Sequence, residues 1–115
     1  MLDSANFSII STDPEGTILT FNKTAEKLLG YKAYEIVGKS TPQPFHDEEE
    51  VVKRTEELNK ELGLKLSPGF QTFVAKAKLT GKPDEREWTY ISKDGTRFPV
   101  LLSVTTLYND EKEIA

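Results

Sequence analysis

An α+β domain built on antiparallel β-structure is predicted by three features of the sequence. They are a hairpin pattern near each end and, between them, several short segments of helical periodicity. The clearest feature is Glu85 to Leu107, EREWTYISKDGTRFPVLLSVTTL. Two runs rich in β-branched and aromatic residues, Arg86 to Ser92 and Arg97 to Leu107, flank Lys93-Asp94-Gly95, a short-range hairpin signal. In the second arm Phe98, Val100, Leu102 and Val104 share one face at period two, and Leu101, Ser103, Thr105 and Leu107 share the other. Both faces are partly apolar, so helices are expected on one and a further segment or a partner chain on the other.

Phe7 to Thr12 and Thr17 to Phe21 form the second hairpin pattern, joined by Asp13-Pro14-Glu15-Gly16, which suits a type I turn closed by a left-handed Gly16. Asn22 stands before Lys23 to Leu29, where Ala25, Leu28 and Leu29 share a helical face and Gly30 supplies the stop. Asn22 is therefore the expected N-cap, worth about 1 kcal/mol. A helical turn is expected at Tyr34 to Val37, ended by Gly38. The two prolines of Ser40 to Phe45 predict a loop without regular structure. Asp47 and Glu50 have the spacing of a capping box, and Val51, Thr55, Leu58 and Leu62 form the narrow apolar stripe of a surface helix ended by Gly63. Ser67-Pro68 predicts the next helix start, with Phe70, Phe73, Val74 and Ala77 as its apolar face and Gly81-Lys82-Pro83 as its end.

Length and composition narrow the function. A chain of 115 residues is expected to be one domain, 1–115. Its 37% hydrophobic content is too high for a disordered chain. A net charge of −4 without a basic stripe argues against nucleic acid and anionic membranes as partners. The absence of cysteine excludes disulfides, thiolate nucleophiles and cysteine-based zinc sites. No run approaches the roughly 18 apolar residues of a membrane span, and no secretory signal pattern opens the chain, so a cytoplasmic location is expected. Both ends read as cut from a longer protein: Glu113-Ile114-Ala115 look like the start of a strand.

The order strand, strand, short helices, strand, strand resembles the PAS sensor domain family. The resemblance is carried by FSIISTDPEGTILTFNKTAEKLLGY at Phe7–Tyr31, YEIVGKS at Tyr34–Ser40 and EWTYISKDGTRFPVLLSV at Glu87–Val104. Asp13, Gly16, Ile18, Asn22, Ala25, Leu28, Leu29, Gly30 and Tyr31 match the family's first pattern. Glu35, Val37 and Gly38 match the second, and Asp94, Gly95, Arg97, Phe98, Pro99 and Val100 the third. The resemblance implies a five-stranded antiparallel sheet in the order B-A-I-H-G, with short helices over one face and a pocket between. The two hairpins would then form one wall. The fifth strand would lie between the first and the fourth, yet the chain to Ala115 carries only its beginning. The pairing is expected from another copy, from direct pairing of the two hairpins, or from residues beyond Ala115.

The resemblance further implies a sensory, non-catalytic module of a signalling protein such as a histidine kinase or diguanylate cyclase. It would homodimerise through an outer apolar face that includes Phe7/Ile9 or Ser8/Ile10, and would signal to an output domain. Pocket candidates are Leu28, Phe70, Phe73, Val74, Trp88, Tyr90, Leu102 and Val104, all of which equally suit an ordinary core. The cofactor is left open between none, haem and flavin. His46, the one imidazole, is the haem-ligand candidate by resemblance. By position it is a loop residue, exposed or capping the following helix. A covalent flavin adduct needs a cysteine and is excluded. The alternatives are a ligand-free interaction module and a small hydrolase or isomerase using carboxylates and His46. Glu87, Lys93, Asp94 and Arg97 suit charge pairing across the hairpin or, more consequentially, a bridge from the sheet to the helices.

Overall fold

Both predicted hairpins close on the turn chemistry expected of them. The computed structural model describes residues 7–106, and in it β1 (Ile10–Thr12) pairs antiparallel with β2 (Ile18–Phe21). The Asp13 carbonyl accepts from the Gly16 N–H at 3.0 Å, and Asp13 Oδ1 accepts from the N–H groups of Glu15 and Thr17. This is a type I turn with Gly16 at φ +97°. The second hairpin joins β3 (Asp84–Ile91) and β4 (Arg97–Val104) over eight paired positions, from Asp84↔Val104 to Ile91↔Arg97. Its turn repeats the device, with Asp94 Oδ1 accepting from the Ser92 hydroxyl and the Thr96 N–H. Those bonds, the Ser92 hydroxyl first, hold the Asp94 carboxyl down at about 2. Strand β3 starts two residues earlier than expected, and Leu107 lies outside the described residues.

The expected single wall is corrected in one respect. Among the described residues the hairpins are separate two-stranded sheets, β1-β2 and β3-β4, with no ladder between them. Direct pairing of the two is therefore not how the chain meets the edges of β1 and β4. Glu113-Ile114-Ala115 lie outside the described residues. What joins the hairpins is a shared core. Ile18 and Phe21 of β2 pack with Tyr90 of β3, and Phe98 and Val100 of β4 pack against that cluster.

Helix α1 (Lys23–Leu29) is capped as expected, Asn22 Oδ1 accepting from the Ala25 N–H at 2.9 Å and Gly30 ending it at φ +80°. The same Asn22 side chain also accepts from Ile9 N–H and donates to the Phe7 carbonyl, which pins the segment before β1. Helix α2 (Ala33–Ile36) is the expected turn. Gln43–Phe45 is a 3-10 turn with Pro44 within it, a correction: proline fits the first turn of a helix, so two prolines did not exclude regular structure.

Helix α3 (Glu48–Leu62) carries Asp47 as N-cap, its carboxylate accepting from the N–H groups of Glu49 and Glu50. The capping box is not completed, because Glu50 turns to β3 instead. The buried face is Val51, Arg54, Thr55 and Leu58, so an arginine enters the stripe and Leu62 is only half-buried. Helix α4 (Phe70–Thr80) starts two residues later than Ser67-Pro68 predicts, with Gly69 as N-cap and its N–H donating to Thr72 Oγ1. Thr72, Phe73, Ala75 and Ala77 are its buried residues.

The core has two lobes under the inner face of the strands. One gathers Ile18, Phe21, Ala25, Leu29, Ile36, Phe45 and Tyr90; the other gathers Val51, Phe73 and Trp88. Val100 of β4 touches both lobes. Away from this core Phe7, Leu19 and Leu101 stay 67%, 49% and 66% exposed, while Ile9, 40% exposed, borders a cavity.

Candidate functional site

Between the edge of β1, the end of β4 and the face of α4 lies a cavity of about 350 Å³. Strand β1 contributes Ile10, Ser11 and Thr12, the following turn Asp13 and Pro14, and β4 Leu102, Ser103 and Val104, with Thr105 and Thr106 beyond it. Helix α4 contributes Phe70, Phe73, Val74 and Lys78. These four recur at intervals of three and four, so they share one face of the helix. Tyr90 of β3 and His46 complete the inner wall, and Pro42 the rim.

His46 is neither exposed nor the cap of the following helix, which Asp47 supplies, and this corrects the positional expectation. Its backbone forms a single antiparallel bridge with Tyr90, which carries the residue under the sheet and leaves it 5% exposed. The imidazole lies against the Phe73 ring at 4.2 Å between centroids, with Trp88 and Tyr90 edge-on at 4.9 and 5.1 Å. Nδ1 is buried without a partner. Burial pushes the His46 pKa down to about 4, so the ring is neutral near pH 7, and pushes the Tyr90 phenol up to about 12. A buried polar atom without a partner is unusual in a core, and of these two side chains His46 Nδ1 is the atom in that state.

The walls are tied together by contacts distant in sequence. Both oxygens of Glu50 accept from Thr89, one from its N–H at 2.7 Å and one from its hydroxyl at 2.9 Å, fixing α3 to β3. Lys93 reaches Glu35 at 2.6 Å and Arg97 reaches Asp47 at 2.5 Å. These charges therefore bridge the sheet to the helices instead of pairing across the hairpin. Lys93 in turn holds the Glu35 carboxyl below its ordinary range. The N–H of Lys93 donates to the Leu29 carbonyl at 2.8 Å. Gly16 lies so close to Phe70 that a Cβ there would stand 2.6 Å from the ring. The β1-β2 turn thus closes on the first residue of α4 beside the cavity mouth.

The sequence profile of the PAS domain matches residues 6–115, nearly the whole chain. The chain belongs to the PAS family. Solved structures agree on the fold. The PAS domain of a protein from Colwellia psychrerythraea superposes with a TM-score of 0.66 at 22% identity, over 93% of this chain and 76% of that one. A light-oxygen-voltage domain studied with a flavin analogue gives 0.67 at 18% identity, over 98% and 73%. The PAS domain of an HTR-like protein from Haloarcula marismortui gives 0.58 at 18% identity, over 95% and 76%. None of the curated proteins matches the sequence significantly.

Within this PAS domain the candidate residues divide. His46, Phe70, Phe73, Val74, Tyr90, Leu102 and Val104 line the cavity. Trp88 stands behind the wall, against His46 and Phe73. Leu28 is 38% exposed on α1 and does not line the cavity. A haem would need a ring nitrogen of His46 facing an open slab broad enough for the macrocycle. The imidazole instead has aromatic rings on three sides, and the cavity sits near the low end of the roughly 300–1,000 Å³ typical of ligand pockets, so these residues do not fit haem. Among the described residues no cluster of His, Cys, Asp or Glu could hold a metal ion, and no helix is long and apolar enough to cross a membrane.

Lining residues that sequence reasoning missed include Ile9, Ile10, Ser11 and Thr12 before the first turn, Ser103 of β4 and Lys78 of α4. Lys78 follows Phe70 and Val74 at intervals of four, a spacing that marks it as sharing their face. A shallower cleft of about 170 Å³ between α3 and β3 is lined by Lys53, Arg54 and Arg86 against Glu50, Glu57 and Glu87, so its charges balance.

Proposed function

PAS domains are in general sensory modules without catalytic activity of their own, and we propose that this one senses a small ligand taken up in the cavity between the hairpins and α4. The observation that carries this reading is a cavity of about 350 Å³, lined by Phe70, Phe73, Val74, Leu102 and Val104, with His46 and Tyr90 in its inner wall and His46 Nδ1 buried without a partner. A buried polar atom left unbonded costs stability, so this part of the wall is not optimised as plain core. A bound ligand repacks α4 against β3 and β4, and the change passes to an output domain of a cytoplasmic signalling protein such as a histidine kinase or diguanylate cyclase. The exposed Phe7, Leu19 and Leu101 support homodimerisation through the outer face.

A thermal-shift screen against small metabolites tests the sensing role, since a ligand that binds only the folded chain raises its melting temperature. The expected hit loses its effect in Val74→Trp, which fills the cavity. No hit across the screen, with Val74→Trp more stable than the parent, would mean that the space is only slack packing. Sedimentation at increasing concentration tests the dimer: Leu101→Glu is expected to shift the equilibrium to monomer. A parent chain that stays monomeric throughout refutes that part. The bare outer face also favours a second reading, a ligand-free interaction module, which predicts the dimer without any hit.

A further inference from the structure

We infer that the ligand is an uncharged aromatic molecule of one or two rings bearing a hydroxyl or similar group that can both donate and accept a hydrogen bond. The inference rests on the sensing role proposed above and adds the chemical class. Size comes first. An apolar cavity of about 150 Å³ is enough to hold benzene. One of about 350 Å³ takes a substituted ring or two fused rings.

Charge comes next. Among the described residues the only ionised side chains lining the cavity are Asp13 and Lys78. Asp13 Oδ1 is committed to the N–H groups of its own turn, and Lys78 is exposed on α4. A charged ligand seated against the inner wall would therefore be buried without a counter-charge, which costs several kcal/mol. The groups at the inner wall are neutral.

Polarity supplies the orientation. The neutral His46 imidazole has one donor and one acceptor nitrogen, of which Nδ1 is buried, and the Tyr90 hydroxyl can donate and accept. Their rings are 5.1 Å apart between centroids and edge-on, so the two side chains stand together in the cavity wall. Phe70, Phe73, Val74, Leu102 and Val104 supply apolar and aromatic surface for the ring body.

The test uses three probes that differ in one group, 2-naphthol, naphthalene and 2-naphthoate, followed by NMR titration of the chain and of His46→Phe and Tyr90→Phe. 2-Naphthol is expected to bind, and naphthoate to bind weaker by on the order of tenfold or more. Each variant is expected to weaken naphthol by roughly three- to tenfold, the loss of one neutral hydrogen bond, while leaving naphthalene unchanged. Unchanged naphthalene binding also shows that the variants keep the cavity. Naphthoate binding as tightly as naphthol, or variants that leave naphthol unaffected, overturns the ligand class while the sensing role stands. So does a charged metabolite that binds from the wider screen when none of the probes does. If neither the probes nor that screen gives any binding, the sensing role falls as well.

Discussion

Gly16→Ala tests whether the β1-β2 turn and α4 are locked against each other beside the cavity. Gly16 has φ +97°, where an L side chain is strained by about 1–2 kcal/mol. Its added Cβ would stand 2.6, 2.9 and 3.0 Å from Cγ, Cδ1 and Cδ2 of Phe70. Contacts that short force the ring or the turn to move, an overpacking term of about 1–3 kcal/mol. The loss of chain entropy in the unfolded state offsets about 0.4–1 kcal/mol. Central values give a net destabilisation of about 3 kcal/mol, measurable by urea denaturation. With Phe70→Ala already in place the overpacking term vanishes and only the backbone strain remains. Gly16→Ala should then cost about 1 kcal/mol, a coupling of about 2 kcal/mol between the two sites. Equal costs in both backgrounds would show that Phe70 does not press on the turn, and would refute the geometry on which the cavity mouth is built.

Three further outcomes are expected. Thr55 donates to the Val51 carbonyl at 2.7 Å, so in its 2.7 Å contact with Thr72 the proton belongs to Thr72; Thr55→Val and Thr72→Val should each cost about 1–2 kcal/mol, and the double variant less than their sum. Strict additivity in denaturation would remove the bond between α3 and α4. His46 binds its proton less well folded, at about 4, than unfolded, at 6.5, so its contribution of about 3 kcal/mol is complete above pH 6.5 and is lost as pH falls from 6.5 toward 4. The carboxylates with lowered values, Glu35, Asp47, Glu61 and Asp94, add their losses only below their ordinary values of 4.5 and 3.8. His46→Phe should therefore flatten the stability profile between pH 6.5 and 4.5, and an unchanged slope there contradicts the buried neutral ring. Glu50→Ala strips the Thr89 N–H and hydroxyl of their acceptors, costing about 2 kcal/mol and opening the Thr89 amide to hydrogen exchange; Thr89→Val, which loses only one of the two bonds, should cost about half as much. Retained protection of that amide in Glu50→Ala would count against the contact.

Features determined within a few residues were legible in the sequence. Asp13 and Asp94 folding back onto their turns, Asn22 and Asp47 as caps, and Gly30, Gly63 and Gly81 as stops all depend on neighbours in the chain. Features settled by distant partners were not. Glu50 has capping-box spacing, yet its carboxylate is claimed by Thr89 of β3. His46 stands among prolines and acids that suggest exposure, and only its bridge to Tyr90 buries it. Arg54 looked like part of the charged face of α3 but lies under it, its Nη1 on Glu57 at 3.4 Å and its Nε and Nη2 without partners. The Ser67-Pro68 start failed because Gly69, bonded to Thr72, took the cap. The apolar face of α4 was identifiable by period; whether it faced packed core or open space was not.

Pro99 carries a consequence for whatever assembles alongside β4. Opposite it, Thr89 sends its N–H outward to Glu50, so Thr89 and Pro99 form a pair whose backbone groups point away from each other. The nitrogen of Pro99 therefore faces the free margin of β4 with no hydrogen to give. Alternation places the amides of Leu101 and Ser103 on that same margin, beside the cavity. An incoming chain finds rungs there and a gap at Pro99, so proline acts as a ruler that limits attachment to the cavity-proximal half of the hairpin.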